Sequence, residues 1–272
     1  MSDNYRWGYK PGELRRLKEQ HGIWLQLTRK HLDAGGARAG DVVLDLGCGP
    51  GFVTTELAAR GARVLAYDRN ARSLSYLRKR CKTLGLRSVR VLPAGDVRNL
   101  PALGESLTAV YMRWLLCYLD TPTVERLLSD LHGRLRSGGR LLIHDYVDYC
   151  SAHAEPPSEE IQLVIAEFHR GMENPDIGST LPDIVKRSGF KITWEQRIAL
   201  AIAPGDAFWR WPDQFFRLHV PKLVGGNRDP AHAGLPKGWE PGSFLRDWER
   251  LAANRDARFH AWPVLQLVAE KQ

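Results

Sequence analysis

The clearest chemical signal in this 272-residue chain is Val43-Leu44-Asp45-Leu46-Gly47-Cys48-Gly49-Pro50-Gly51. An apolar run ends in an acid, a glycine turn follows, and Phe52-Val53-Thr54-Thr55-Glu56-Leu57 reads as a helix start. Glycines let the backbone turn tightly and approach a ligand closely. The helix N-terminus behind them offers unpaired N–H groups. Dinucleotide sites also use glycine turns, but the spacing here is GxGxG, not GxGxxG. Asp45 at the end of the run would repel a pyrophosphate and can orient an ammonium group. The ligand implied therefore has an amino-acid end. Asp68 closes the run VLAYD, where a carboxylate is placed to bind both ribose hydroxyls. Asp96, in AGD, can accept from an adenine amino group. Cys48 reads as a small filler of the turn, since nothing basic adjoins it to depress its pKa.

These groups need a scaffold that delivers them to one edge. The apolar runs 42–46, 63–67, 89–93, 107–112 and 140–146 alternate with helical patterns. One pattern runs through Leu74, Leu77, Cys81 and Leu84, another through Val124, Leu127, Leu128, Leu131 and Leu135. That alternation predicts an α/β fold of right-handed βαβ crossovers and a mostly parallel, doubly wound sheet. All three acids fall at the carboxyl ends of strands, the ligand edge of open α/β sheets. Upstream, residues 12–32 hold one helical pattern, broken by DAGGARAGD. Downstream, Ile161, Val164, Ile165 and Phe168 lie at helical spacing, a helix is expected around 180–188, and FKITWE reads as a strand. A final run, 263–271, pairs with 190–195 if residues 200–260 are an insertion, whose Trp, Pro and Gly do not read as strands. The expected organisation is an N-terminal helical cover (1–40), a ligand-binding core (41–150) and a completing segment (151–272) whose insertion, about 200–260, forms a lid.

Together VLDLGCGPG, AYD, AGDV, YMRWLLCYLD and GGRLLIHDY resemble the class I S-adenosylmethionine-dependent methyltransferases over roughly residues 40–148. The resemblance implies a Rossmann-like seven-stranded sheet with an antiparallel last strand, and S-adenosyl-L-methionine as cofactor. It implies that Gly47, Gly49 and Gly51 surround the methionine part and Asp68 the ribose. Asp96 and Val97 would lie at adenine and Arg113 near the sulfonium, with Cys48 and Arg69 counted in the same site. Tyr5, Gly8, Tyr9, Glu13, Arg16-Leu17 and Gln20, with PDIGSTLP (175–182) and WRWPDQFF (209–216), look like a bacterial small-molecule subgroup. That likeness implies that the first helix closes over the cofactor, with Gln20 and Tyr5 reaching it.

His144 and Tyr146 end the fifth strand on the ligand edge. Methyl transfer from a sulfonium is an in-line displacement that depends on positioning, and a base helps when the acceptor carries a proton. His144 has a suitable ordinary pKa and Tyr146 could orient the acceptor. The plainer reading of His144 is a hydrogen-bonded structural histidine. His169 is a competing base. Trp209, Trp211 and Phe215, with Phe168 and His169, are the expected acceptor wall, although aromatic clusters also pack cores.

Lys and Arg outnumber Asp and Glu by 39 to 31, a net charge of +8. Residues 151–272 nevertheless hold 15 basic and 16 acidic groups, so the segment expected to choose the acceptor is near neutral. A nucleic-acid methyltransferase is the competing reading of the charge, but Arg113-Trp114-Leu115-Leu116 stands where a DPPY or NPPY motif would lie. A cofactor-binding protein without transfer is the other alternative. The four cysteines lack zinc spacing and no metal site is expected. No signal core or membrane span is read, so a cytoplasmic protein is expected. An exposed aromatic insertion is the surface a homodimer would bury.

Overall fold

The computed structural model describes residues 11–223 and 234–272. Five strands run parallel: β1 (Val42–Leu46), β2 (Arg63–Tyr67), β3 (Val89–Val91), β4 (Leu107–Arg113) and β5 (Leu135–Tyr146). With β7 (Phe190–Ile198) and β10 (Val264–Lys271) they make one sheet in the order β3-β2-β1-β4-β5-β10-β7. β10 is antiparallel to both of its neighbours. The expected fold class and the distant pairing of the last strand are both present.

The strands are apolar throughout because helices cover both faces. On one face α5 (Thr121–Arg134) and α7 (Ile177–Arg187) pack Leu127, Leu131 and Ile184 onto Leu46, Val110 and Ile143. On the other, α2 (Leu25–Ala34) and α3 (Phe52–Ala59) pack Leu32, Val53 and Leu57 onto Val43, Tyr111 and Val268. Local signals fix the helix starts. The Asn70 side chain accepts the Ser73 N–H (3.0 Å) at the start of α4 (Ala71–Thr83), and Asp120 accepts the Thr123 N–H (2.7 Å) at α5. α3 is different, since Gly51 (φ 77°) precedes it and no side chain caps it.

A second core sits over the carboxyl edge of the sheet. It is built from α6 (Glu159–Arg170), α8 (Arg210–His219), α9 (Pro241–Ala253) and a small sheet of β6 (His153–Glu155), β9 (Arg258–His260) and β8 (Ala201–Ile202). Two expectations are corrected here. The insertion does contain strands, but β8 and β9 are two and three residues long, too short to show alternation. The N-terminal pattern is two helices, α1 (Pro11–Ile23) and α2, because Trp24 turns between them and buries its indole against Trp114, Phe208 and Trp211.

Candidate active site

The carboxyl ends of β1, β2 and β4 open into one cavity, roofed by α1 and α8. Its inner half is bordered by Asp45, Gly47, Cys48, Gly49, Asp68 and Arg69, and by Asp96, Val97 and Arg113. The positive φ of Gly47 (71°), Gly49 (52°) and Gly51 (77°) is what the turn demands. Gly51 stands behind the wall, where a Cβ would lie 2.2 Å from Leu77.

Asp68 is fixed by backbone: Gly49 N–H donates to Oδ2 (2.8 Å) and Asn70 N–H to Oδ1 (2.7 Å). Each oxygen keeps a second lone pair for a hydroxyl donor. Burial raises its pKa despite those bonds. Asp45 is buried and accepts from the Thr54 hydroxyl at 2.5 Å. Burial pushes its carboxyl up to about 6, outweighing that bond and Arg113 nearby. Asp96 accepts the Arg98 N–H (2.9 Å) and pairs with the Arg98 guanidinium (3.3 Å). Burial, with Asp45 and Asp68 near, pushes the Cys48 thiol well up, which fits a filler and not a nucleophile.

The residues suit S-adenosylmethionine. An uncapped helix N-terminus borders the cavity at Phe52 and Val53, as a carboxylate requires. The Asp45 carboxyl at the same strand tip could take an ammonium group, and Asp68 at the next tip could take the ribose.

The outer half draws on scattered segments: Arg16, Leu17 and Gln20 from α1, Trp114 and Tyr118 after β4, Tyr146 and Tyr149 around the end of β5, Trp211 and Phe215 from α8, and Trp262. Arg16 donates to both Glu13 oxygens (2.7 and 2.9 Å) and to Gln20 Oε1. Glu13 also meets His219 of α8 at 3.0 Å. Burial alone would raise the Glu13 pKa, but the hydrogen bonds from Arg16 and His219 hold it down at about 2. Glu13, Arg16 and Gln20, read in sequence as one motif, thus join α1 to α8.

Trp114 has φ 50°, the one positive φ outside glycine among the described residues. Such strain persists only when surroundings impose it. Here the buried Asp145 does so: its Oδ2 accepts N–H from Leu116 (2.8 Å) and Leu115 (3.1 Å), and its Oδ1 from Tyr146 (3.0 Å). Asp145 was not among the expected site residues, although a carboxylate beside a strand tip was its signal.

The structure relocates several expected residues. His144 does not border the cavity; it is buried beneath Trp24 and Trp114, with centroids 5.1 and 4.9 Å away, and its Nδ1 meets Gln266 at 3.1 Å. Burial drives its pKa well below the ordinary value, so it stays neutral and structural. Phe168 is core, packed on Phe215 at 4.9 Å. His169 pairs with Asp176 (3.0 Å) away from the cavity, and Trp209 stacks on Trp248 at 4.9 Å. Tyr146, Trp211, Phe215 and Gln20 do border it. Tyr5 lies outside the described residues.

Residues 43–139 match the family model described as a methyltransferase domain. Over those residues the chain is similar to a methyltransferase domain. A demethylmenaquinone methyltransferase of Tropheryma whipplei (strain Twist) is 34% identical over 130 residues, 48% of this chain and 50% of that protein. A magnesium-protoporphyrin O-methyltransferase of Rhodobacter capsulatus is 35% identical over 113 residues, 42% and 47% of the two chains. The chain spans about half the length of these curated relatives. The [4+2]-cyclase SpnF is a structural neighbour with TM-score 0.58, 17% identical, covering 90% of this chain and 80% of that one. At that identity the likeness shows the fold alone. The matched residues 43–139 thus supply the inner half of the cavity, while the aromatic outer half lies mostly outside them.

Proposed function

We propose that this protein transfers a methyl group from S-adenosylmethionine to an apolar small molecule of the secondary-metabolite type. One observation carries the reading: a single cavity joins the strand-tip acids of the methyltransferase domain to an aromatic chamber. When bound, S-adenosylmethionine supplies an electrophilic methyl group on a sulfonium. Asp68 would hold the ribose, Asp45 the ammonium group and the start of α3 the carboxylate. Gln20 would lie over them, while Tyr146, Trp211 and Phe215 hold the acceptor and exclude water. The named activities of the relatives, on demethylmenaquinone and magnesium-protoporphyrin, support a large planar acceptor.

The nucleic-acid reading is weaker, because the exposed Lys79 and Lys82 sit on α4, not on the acceptor side of the cavity. The test is incubation of the full chain with methyl-labelled cofactor and either a small-molecule extract or tRNA. Label in an organic-soluble product is expected; label in tRNA alone would overturn the reading. A cofactor-binding role without transfer is the second reading, since a cyclase shares the fold. It would show as S-adenosylhomocysteine binding in calorimetry with no labelled product.

A further inference from the structure

The outer half of the cavity is a closed ring of five aromatic side chains. Centroid distances run 6.3 Å from Trp114 to Tyr146, 5.2 Å to Tyr149, 5.3 Å to Trp262, 5.4 Å to Trp211 and 6.4 Å back to Trp114. All five border the cavity. They come from the ends of β4 and β5, the turn after β5, α8 and the segment before β10, so the fold sets the ring's dimensions. Aromatic walls of this kind take a flat, apolar body.

Two guanidinium groups lie at the ring, and they differ in how they are paired. The Arg113 guanidinium lies 4.8 Å from the Trp114 centroid. That of Arg16 lies 5.6 Å from Phe215, whose ring is 5.6 Å from Trp262. Arg16 is neutralised by Glu13 at 2.7 Å, whereas Arg113, at the inner end of the chamber near Asp45, donates to the Thr28 hydroxyl at 3.3 Å. Among the described residues, no carboxylate and no histidine borders the outer half. Burial also pushes the Tyr146 phenol well above its ordinary pKa, so it takes up no proton as a phenolate at neutral pH.

The Arg113 guanidinium repels a cationic amine and attracts an anion. A chamber without a base favours a substrate that has already lost its proton, because it supplies no rate factor from proton removal. We propose that the ring binds the acceptor as a planar oxyanion, a phenol or enol acidic enough to ionise in water, with its body against the Trp and Tyr faces and its charge toward Arg113. The proton passes to bulk water before binding, and no protein group carries it. This inference rests on the methyl-transfer reading for the role of the bound anion as substrate, but the anion preference is measurable without turnover.

The test is equilibrium binding to the full chain at about pH 8, with and without S-adenosylhomocysteine, read by tryptophan quenching. The probes are 4-nitro-1-naphthol, which is ionised there, its methyl ether, and cationic 1-naphthylmethylamine. The naphtholate is expected to bind ~10-fold or more tightly than either of the others, since only it gains from the Arg113 guanidinium. Trp262→Leu and, separately, Tyr149→Leu should cost ~10-fold in naphtholate affinity while S-adenosylhomocysteine affinity stays within about twofold. Equal or tighter binding of the ether or the amine, or no saturable naphtholate binding, overturns the proposal. Absence of S-adenosylhomocysteine binding would instead sink the methyl-transfer reading, and the probe ranking on the unloaded protein would still decide the anion preference.

Discussion

Asp68 and Asp145 show what a single carboxylate can do at a strand tip. Each is held by backbone N–H groups, but Asp68 borders the cavity and Asp145 braces the turn that carries Trp114. Asp68→Ala should weaken S-adenosylhomocysteine binding by roughly 10–100-fold in calorimetry, because Gly49 N–H and the ribose both lose their acceptor. Asp145→Ala leaves buried N–H groups unpaired and should cost roughly 2–4 kcal/mol in urea unfolding. Its acceptor affinity should fall more than its cofactor affinity, and equal losses would argue against the bracing role. Asp45 gives a pH test. Its folded pKa, about 6, lies above the ordinary 3.8, so its contribution is fully present below about pH 4 and is lost as pH rises through 6. An asparagine side chain at this position cannot titrate; the Tm of Asp45→Asn relative to the parent should therefore rise between about pH 5 and pH 7. A constant difference would rule the shift out. Sequence made these residues legible to different degrees. The glycine turn, Asp45 at the end of β1 and Asp68 after β2 are local patterns, and all three border the cavity. His144 was misplaced for a geometric reason: residues 144 and 146 share a face, but each strand residue advances about 3.3 Å. Tyr146 at the tip meets the cavity, while His144 lies a pleat deeper, sealed by Trp24.

At the scale of elements, the contact between α1 and α8 decides how the cavity is covered. Its centre is buried and charged, with Glu13 between Arg16 and His219. Removing one partner of such a pair leaves the other buried and uncompensated, so Glu13→Gln should cost roughly 3–5 kcal/mol in urea unfolding. Protease cleavage within α1 should also quicken. Acid should act the same way. Burial lowers the His219 pKa to about 4 despite Glu13, and the Glu13 carboxyl sits at about 2. Both are depressed, so the stability they contribute is present at neutral pH. It is lost as pH falls, first from about 6.5 toward 4 for His219 and then from about 4.5 toward 2 for Glu13. Faster cofactor release at pH 5 than at pH 7 in stopped-flow displacement would bear this out, and the reverse order would refute it. Periodicity located α1 and α8 but could not show that they touch. Their partners are some 200 residues apart, and the motif linking Glu13, Arg16 and Gln20 looked like a cofactor feature when part of it is a clasp.

For the whole molecule, the sheet is closed by a strand that arrives late. β10 lies between β5 and β7, and Leu267 is fully buried against Leu265, Ile143 and their neighbours. Leu267→Ala should cost about 2–5 kcal/mol, and circular dichroism and tryptophan fluorescence should report one shared midpoint. Two midpoints would mean that the aromatic core over the sheet edge unfolds on its own. The alternation of strands and helices made the parallel half readable. The outer chamber was not, because Trp114, Tyr149, Trp211 and Trp262 follow no period and meet only when the sheet and its insertion are complete.

That strand order also bears on synthesis. β5 ends at Tyr146 and its neighbour β10 begins only at Val264. At ribosomal speeds of about 5–20 residues per second, the edges of β5 and β7 stay unpaired for many seconds after β5 has emerged. An open apolar edge is a template for pairing with another chain. The interval before β10 docks is therefore when this protein is most exposed to aggregation, and substitutions that slow that docking should reduce soluble yield more than they reduce the stability of the finished fold.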